Sequence, residues 1–283
     1  MNLEETILQS IQQLPSFPAV IHRAIQLIDN PTSSTQDVVE VIQYDQSITV
    51  DVLKLCNSAY FGLRRNVHSL REALVMIGFN PLLEMILSRE SARFFYGPCQ
   101  GYDLGYGELW RHSITSALLS RIISKRLNRE ATPTLFTAAL VHDIGKMILS
   151  EFVKDYFEEI KYMIEKKQLS FIEAEKEVLG IDHAELGGRI IEQWDFPKVI
   201  VSCVRYHHSP FSTPEDHEMV RLIYLCDMVA MTTGIGGGAD GLSYHAYGEV
   251  MKEYQLKEKD IERFIVQLDD QFQMVEKILN VKR

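Results

Sequence analysis

Apolar residues recur at helical spacing along almost the whole chain, and proline or glycine separates one such segment from the next. No segment alternates convincingly between apolar and polar residues, as a half-buried strand does. Capping signals, in which Ser or Asp precedes Glu by three residues, mark several helix starts: Ser69 with Glu72, Ser170 with Glu173, and Asp182 with Glu185. These patterns predict an all-α fold.

Individual helix boundaries follow from the same kinds of signal. Thr35 is expected to cap an early helix, and Pro81 is expected to begin another that runs to about Phe95. The apolar run from Thr134 to about Phe152 predicts one continuous helix. The run Gly234–Gly238 is interpreted as a flexible loop.

The segment Gly97–Gly101 is the strongest candidate for a boundary, because glycine and proline interrupt the helical pattern there. We expect an N-terminal helical subdomain over residues 1–97, packed on a helical bundle over residues 98–241. Two charged amphipathic helices over residues 242–283 form a C-terminal extension. The chain has 283 residues, 46% of them hydrophobic, which is ample for a packed core.

Charge and cysteine content argue against several classes of protein. The formal net charge is −10, whereas a general nucleic-acid binder is usually basic. The four cysteines lack paired metal-type spacing and are too sparse for a disulfide scaffold, so we expect reduced, mostly buried thiols in a cytoplasmic protein. The N-terminus lacks a signal-peptide pattern, and no run of about 18 uncharged apolar residues occurs. We therefore expect neither a signal peptide nor a membrane span.

One dipeptide, His142-Asp143, lies in an otherwise apolar, helical context. A charged aspartate is rarely fully buried unless it is paired or binds a metal. An imidazole beside a carboxylate is a typical ligand pair for zinc, iron or manganese. The dipeptide is weak evidence by itself, so its meaning depends on which other residues could join it.

Further histidines and acidic residues interrupt apolar or capped helices in the second half of the chain: Glu108, His112, His183, His207, His208 and Asp227. Each could be a capping or core polar residue satisfied by hydrogen bonds. Asp227 is the hardest to explain in this way, because an uncompensated buried carboxylate costs several kcal/mol. Eight N/O ligands converging inside a bundle would explain all these positions. That number suits two metal ions about 3.5–4 Å apart, the arrangement used for phosphoester hydrolysis.

The series of eight residues resembles the metal ligands of the HD-domain phosphohydrolase superfamily, in its HD-GYP branch. Lys146 matches the position that contacts substrate phosphate in that branch. From about residue 10 to about residue 235, the chain is similar to the HDOD domain in these segments: Leu14–Pro18, Tyr44–Ile48, Leu53–Gly62, Ala73–Gly78, Asp182–Gly188, Trp194–Pro197 and His207–Pro210. The resemblance implies an HD-type bundle and a role in bacterial signalling. No enzymatic activity is generally established for the HDOD family.

The chain also departs from the HD-GYP pattern in two places. The residues after His208 are Ser209–Pro214, without the Gly-Tyr-Pro signature that helps form the cyclic dinucleotide pocket of that branch. That branch also carries an Arg and Lys pair for phosphate beyond its last aspartate. Here no basic residue follows Asp227 until Lys252. The metal ligands are thus more complete than the residues that would hold a substrate.

Two functions remain open at this point. The first is a non-catalytic HDOD signalling protein that binds a partner protein or a nucleotide, with structural metal. The loop Asn57–Asn66 could contribute Tyr60, Phe61, Arg64 and Arg65 to its binding surface, or could be an ordinary packed connection. The second is a metal-dependent phosphohydrolase acting on a nucleotide or cyclic nucleotide.

In the enzymatic alternative, Asp143 bridges two metal ions and Lys146 neutralises a phosphate oxygen. The predicted core of the metal site consists of His112, His142, Asp143 and Asp227. The remaining ligands complete a second site: Glu108, His183, His207 and His208. Because imidazole and carboxylate ligands are mixed, the ions could be iron, manganese or zinc. The missing basic residues favour the signalling protein over the enzyme.

Overall fold

The computed structural model describes residues 2–14, 19–29, 34–43, 45–58, 61–63, 65–213, 217–236, 238 and 246–279. Over these residues the chain forms sixteen α-helices and no strand, apart from one isolated antiparallel bridge between Cys99 and Leu104. The predicted all-α fold is confirmed.

Six helices precede the predicted boundary at Gly97: α1 Leu3–Ser10, α2 Ala19–Asp29, α3 Thr35–Ile42, α4 Gln46–Cys56, α5 Leu70–Ile77 and α6 Phe79–Phe95. A short 3-10 turn, Ile11–Gln13, follows the first of them. A second such turn, Gln100–Tyr102, follows the boundary.

Ten helices follow that turn. The first eight are α7 Glu108–Arg126, α8 Pro133–Val141, α9 Lys146–Asp155, α10 Phe157–Lys167, α11 Phe171–Leu179, α12 His183–Gln193, α13 Lys198–Tyr206 and α14 His217–Thr232. The last two are α15 Tyr247–Glu253 and α16 Glu258–Leu279.

Side-chain caps set several of these helix starts. The predicted caps at Ser69, Ser170 and Asp182 are confirmed, since each side chain accepts a hydrogen bond from the backbone N–H three residues later. The predicted cap at Thr35 is wrong: Ser34 is the N-cap of α3, and Thr35 is the first helical residue. Two capping residues are adjacent here, and the chain uses the earlier one.

The predicted start of α6 at Pro81 is also wrong, by two residues. The helix begins at Phe79, directly after Gly78, which ends α5 with a positive φ of 85°. Pro81 therefore occupies the first turn, where its missing N–H leaves no hydrogen bond unmade.

The predicted continuous helix from Thr134 to Phe152 is wrong in its middle. The helix α8 ends at Val141, a tight turn spans His142–Gly145, and α9 begins at Lys146. The turn packs so closely against α12 that position 145 requires glycine, because a β-carbon there would overlap the carbonyl oxygen of His183. The dipeptide thus lies at a junction between two helices, where both side chains can face the same interior point.

Contacts between the two halves cross the predicted boundary at Gly97. The indole Nε1–H of Trp110 donates to the Ser88 carbonyl at 3.2 Å, and the Phe94 and Trp194 rings meet edge to face at 6.0 Å. The buried apolar residues of α1 to α14 belong to one core. Whether residues 1–97, 98–241 and 242–283 fold as separate units stays a prediction.

Two further features bear on the class of protein. All four cysteines are free and buried, as predicted. Within the described ranges, no helix combines the length and the apolar character that crossing a bilayer requires.

Candidate metal centre

Five segments of the bundle bring seven of the eight predicted ligands together. Helix α7 supplies His112, and α14 supplies Asp227. The turn between α8 and α9 supplies His142 and Asp143. The first residue of α12 is His183, and the end of α13 supplies His207 and His208. Six of these side chains are no more than 2% exposed, and His208 is half-buried. The site therefore lies in the interior of the bundle.

The seven residues form two groups. One group contains Asp143, His183, His207 and His208, and the other contains His112, His142 and Asp227. Within each group the nitrogen and oxygen atoms that could bind a metal all lie within 4.8 Å of one another. The sequence-based prediction grouped Asp143 with His112, His142 and Asp227. In the structure its carboxylate lies between the two groups.

The two oxygens of Asp143 face different groups. Its Oδ1 is 3.6 Å from the Nε2 atoms of both His183 and His207. Its Oδ2 is 3.6 Å from Nε2 of His112 and 3.5 Å from Nε2 of His142. A carboxylate in this position is arranged as a bridge between two centres.

Several buried atoms of the centre have no hydrogen-bond partner: Nε2 of His142, Nε2 of His207 and Oδ1 of Asp143. Each such atom costs about 1–3 kcal/mol if it is left unsatisfied. Ligands about 2.0–2.2 Å from one ion are roughly 3.0–3.5 Å apart, which is close to the separations seen here. The residues therefore fit a divalent metal, and the mixed imidazole and carboxylate set suits zinc, iron or manganese.

Backbone carbonyls orient two of the imidazole rings. Nδ1 of His142 donates to the Ala139 carbonyl at 2.8 Å, and Nδ1 of His207 donates to the Val204 carbonyl at 2.7 Å. A carbonyl oxygen only accepts, so each Nδ1 carries the proton. Nε2 of each ring is left facing the centre, as metal binding requires.

Both aspartates are held in the ionised form. Burial alone would raise the pKa of Asp143, but the Lys146 ammonium and then His142 hold it well below the usual range. Burial also opposes ionisation of Asp227, but its hydrogen bond with Nε2 of His112 at 2.9 Å and the nearby His142 ring hold its pKa well below the usual range. Ionised carboxylates are the form that binds a metal.

Their surroundings shift the pKa values of four of the histidines in different directions. Burial lowers the pKa of His207, and burial together with the neighbouring His207 and His183 lowers that of His208 well below its ordinary value. Burial would also lower the pKa of His142, but Asp143 and Asp227 raise it. For His183, the Glu175 carboxylate outweighs burial and raises the pKa to about 9.

Comparison with known proteins agrees with this arrangement of helices. The family model of the HDOD domain matches residues 14–210. The chain belongs to the HDOD domain family. A curated relative, an uncharacterized protein from Treponema pallidum (strain Nichols), is 22% identical over 217 residues, which are 76% of this chain and 42% of the relative. The chain thus spans less than half of that relative's length.

Two solved structures are similar to the HDOD chain over nearly its whole length. A candidate phosphohydrolase from Shewanella amazonensis SB2B is 20% identical, with a TM-score of 0.70 and coverage of 96% of this chain and 97% of that one. A candidate signal transduction protein from Marinobacter aquaeolei VT8 is 21% identical, with a TM-score of 0.72 and coverage of 99% and 61%. These likenesses show a shared fold.

Lys146, predicted to contact a phosphate, lies within the centre and is only 3% exposed. Its Nζ donates to Oδ2 of Asp143 at 2.7 Å and lies 5.5 Å from the centroid of the Tyr102 ring. The ammonium therefore neutralises the same carboxylate that lies between the two groups of ligands.

Glu108 is the one predicted ligand that the HDOD fold does not bring to the centre. Its carboxylate accepts a hydrogen bond from the Gly105 N–H at 2.6 Å, in the loop before α7. Gly107, with a φ of 75°, turns the chain at this point. Glu108 thus closes the loop, while His112, one turn later, faces the interior.

Part of the glycine-rich loop packs against this start of α7. Gly236 has a φ of 62°, and a β-carbon there would overlap the Glu108 carbonyl oxygen and lie 2.9 Å from Cβ of His112. This part of the predicted flexible loop therefore covers the ligand helix closely. Gly237 lies outside the described residues.

The predicted surface loop Asn57–Asn66 is described only in part, since Tyr60 and Arg64 lie outside the described residues. The Asn57 amide ties its two ends together, accepting from the Val67 N–H at 2.6 Å and donating to the Val67 carbonyl at 2.8 Å. Its role in binding a partner stays a prediction.

Sequence reasoning missed two residues that support the centre, Glu175 and Tyr102. Glu175, on α11, is fully buried and hydrogen-bonds both Tyr102 and His183. A signal for it was present, because Glu175 lies four residues from both Phe171 and Leu179 and so falls on the buried face of α11. An acidic residue that interrupts the apolar face of a helix is the same signal that marked Asp143 and Asp227.

Proposed function

We propose that this HDOD protein is a cytoplasmic signalling protein in which an HD-type centre holds two divalent ions and supports binding of a partner protein or a nucleotide. The observation that carries the proposal is the burial of a nearly complete ligand set, together with Lys146 bound to Asp143 instead of facing an open cleft. The Marinobacter structure, a candidate signal transduction protein, adds support, and the four free thiols suit a reducing compartment.

The arrangement suits a regulatory role for a physical reason. The ligands come from five separate segments, so two ions held by the two groups would together fix the relative positions of α7, α8, α12, α13 and α14. An ion that binds only the folded chain adds stability by mass action. Metal loading can thereby order the outer faces of these helices, where a partner would bind.

Elemental analysis of the purified, metal-loaded protein tests this centre. Asp143→Asn keeps the shape of the side chain but removes the charge between the two groups, so it should lose most of the bound metal. Asp155→Asn, an exposed position at the end of α9, is the matched control and should keep the wild-type content. A chelator should lower the melting temperature of the wild type. Wild-type metal content in Asp143→Asn would show that these residues are not a metal site.

A metal-dependent phosphohydrolase is the second candidate function, in the manner of the HD-GYP branch. It is favoured by the bridging position of Asp143 and by the Shewanella structure, a candidate phosphohydrolase. When bound, a divalent ion supplies positive charge and can generate a hydroxide nucleophile near neutral pH. Asp143 would then orient the two ligand groups, and Lys146 would neutralise a phosphate oxygen.

We expect hydrolysis of cyclic di-GMP to be absent or very weak. Each lost oriented contact costs about 10²–10³ in rate, and no basic residue follows Asp227 until Lys252. The assay is incubation with cyclic di-GMP and excess manganese or ferrous iron, followed by chromatography. Calorimetric titration of the same metal-loaded protein with cyclic di-GMP measures binding without turnover. Multiple turnovers that Asp143→Asn abolishes would favour the enzyme over the signalling protein.

A further inference from the structure

The imidazole of His183 is anchored differently from those of His142 and His207. The latter two rings donate from Nδ1 to neutral backbone carbonyls. The His183 ring donates from Nδ1 to a carboxylate, Oε2 of Glu175, at 2.8 Å. Its Nε2 lies 3.0 Å from Nε2 of His208 and 3.6 Å from Oδ1 of Asp143, so this nitrogen faces the first ligand group.

Glu175 is itself held in one orientation by three hydrogen bonds. Its Oε2 accepts from the backbone N–H of His183 at 3.0 Å as well as from the ring. Its Oε1 accepts from the Tyr102 hydroxyl at 2.5 Å. Glu175 and His183 are both fully buried, so the pairing is shielded from water and salt.

We propose that Glu175 is a positioning residue that makes the Asp143, His183, His207 and His208 group a high-affinity metal site, with Tyr102 holding Glu175 in place. The proposal rests on the metal centre put forward above. A carboxylate hydrogen-bonded to a histidine ligand fixes the direction of the ring and makes its other nitrogen a better donor to the metal.

The proposal predicts an unequal effect on the two ligand groups. A glutamine at position 175 offers one accepting oxygen where three donors converge, and it carries no charge. Removing a partner of this kind typically weakens metal binding about 10–100-fold. Glu175 makes no hydrogen bond or ion pair with His112, His142 or Asp227, so that group should keep its affinity.

Cobalt titration of the full chain provides the test. The protein is stripped with a chelator, titrated with Co²⁺, and followed by visible absorption and by elemental analysis after desalting. The wild type should take up two equivalents, and Glu175→Gln should take up one tightly and the second about 10–100-fold more weakly. Glu177→Gln makes the same substitution at an exposed position of the same helix and should behave as the wild type.

The outcomes separate the two proposals. If the wild type takes up no cobalt, the metal centre itself is wrong. If the wild type and Glu175→Gln both take up two equivalents with equal affinity, the role of Glu175 is wrong and the centre stands. Equal weakening of both equivalents would mean a general structural effect and would also overturn the positioning role.

A second variant keeps the test decisive if Glu175→Gln does not fold. Tyr102→Phe leaves the pairing of Glu175 with His183 intact and removes only the hydroxyl that holds Oε1. The proposal expects this variant to weaken the second equivalent selectively, by less than Glu175→Gln would. If Tyr102→Phe binds two equivalents of cobalt with wild-type affinity, the part assigned to Tyr102 is wrong. If Glu175→Gln also fails to fold, the same result overturns the positioning role of Glu175.

Discussion

Replacing Lys146 with methionine would remove one buried positive charge from the centre while filling a similar volume. The ammonium donates to Oδ2 of Asp143 at 2.7 Å, and the two side chains are 4% and 1% exposed. Burial raises the pKa of Asp143, and this ammonium is the nearby charge that lowers it most. The substitution should therefore leave a buried carboxylate without its nearest cation.

The expected loss of stability depends on the metal. Breaking a buried ion pair by removing one partner costs about 3–5 kcal/mol. For a chain of this size, 1 kcal/mol shifts the melting temperature by about 2–4 °C, so chelated Lys146→Met should melt about 6–20 °C below the chelated wild type. Bound ions would supply the missing positive charge, and they would no longer be repelled by the ammonium. The melting temperature of the metal-loaded variant should therefore fall much less. The difference in melting temperature between the metal-loaded and the chelated protein should be larger in Lys146→Met than in the wild type.

Thermal unfolding in excess chelator and in excess manganese measures both quantities. Lys154→Met makes the same change at an exposed position of α9 and should shift neither melting temperature appreciably. An equal loss in both conditions would mean that Lys146 contributes packing only. An unchanged melting temperature in chelator would refute the charge argument altogether.

Two further predictions concern Glu84 and Gly145. Although Arg121 lies 2.9 Å from the buried Glu84 carboxylate, burial raises the pKa of Glu84 from 4.5 to about 7. The protonated form therefore favours folding, and its contribution, up to about 3 kcal/mol, is present below pH 4.5 and lost as pH rises through about 7. Urea unfolding at about pH 5 and about pH 8 should show this loss in the wild type and not in Glu84→Gln; an equal loss in both would contradict the assignment. Gly145→Ala should reduce both metal content and melting temperature, because its β-carbon would overlap the His183 carbonyl. Gly97→Ala, with open space around it, is the control and should change neither. A wild-type metal content in Gly145→Ala would contradict the importance of this contact.

Local signals were enough to predict the class of fold and most helix starts. Ser170 and Asp182 cap their helices through hydrogen bonds that involve only the next three residues, so the pattern in the sequence carries the whole interaction. The break after Val141 has no capping pair of this kind: Gly145 is its local mark, and the need for glycine there comes from the approach of α12. That contact joins residues far apart in the sequence, and no single segment encodes it.

The same distinction explains what could be predicted about the centre. Asp143 and Asp227 stand out because a carboxylate in an apolar helix needs a partner or a metal. Glu108 shares a helical spacing with His112, but it is the first residue of α7, and its side chain turns back to the loop. Glu175 was overlooked because charged neighbours on α11 hide the apolar spacing on which it lies.

The balance of charge in the centre connects its structure with the proposed regulation. Three buried carboxylates, those of Asp143, Asp227 and Glu175, lie among the histidines, and the buried cation beside them is Lys146. Against the effect of burial, the carboxylates raise the pKa of His142 and raise that of His183 to about 9, so they favour positive charge on these rings beside that of Lys146. A divalent ion needs the same nitrogen lone pairs, so it must displace protons from them. Loading with metal would thus exchange one set of buried charges for another, and it would change how tightly five segments of the bundle are bound to each other. In the signalling function that we propose, such a site would convey metal binding to the surface of the bundle.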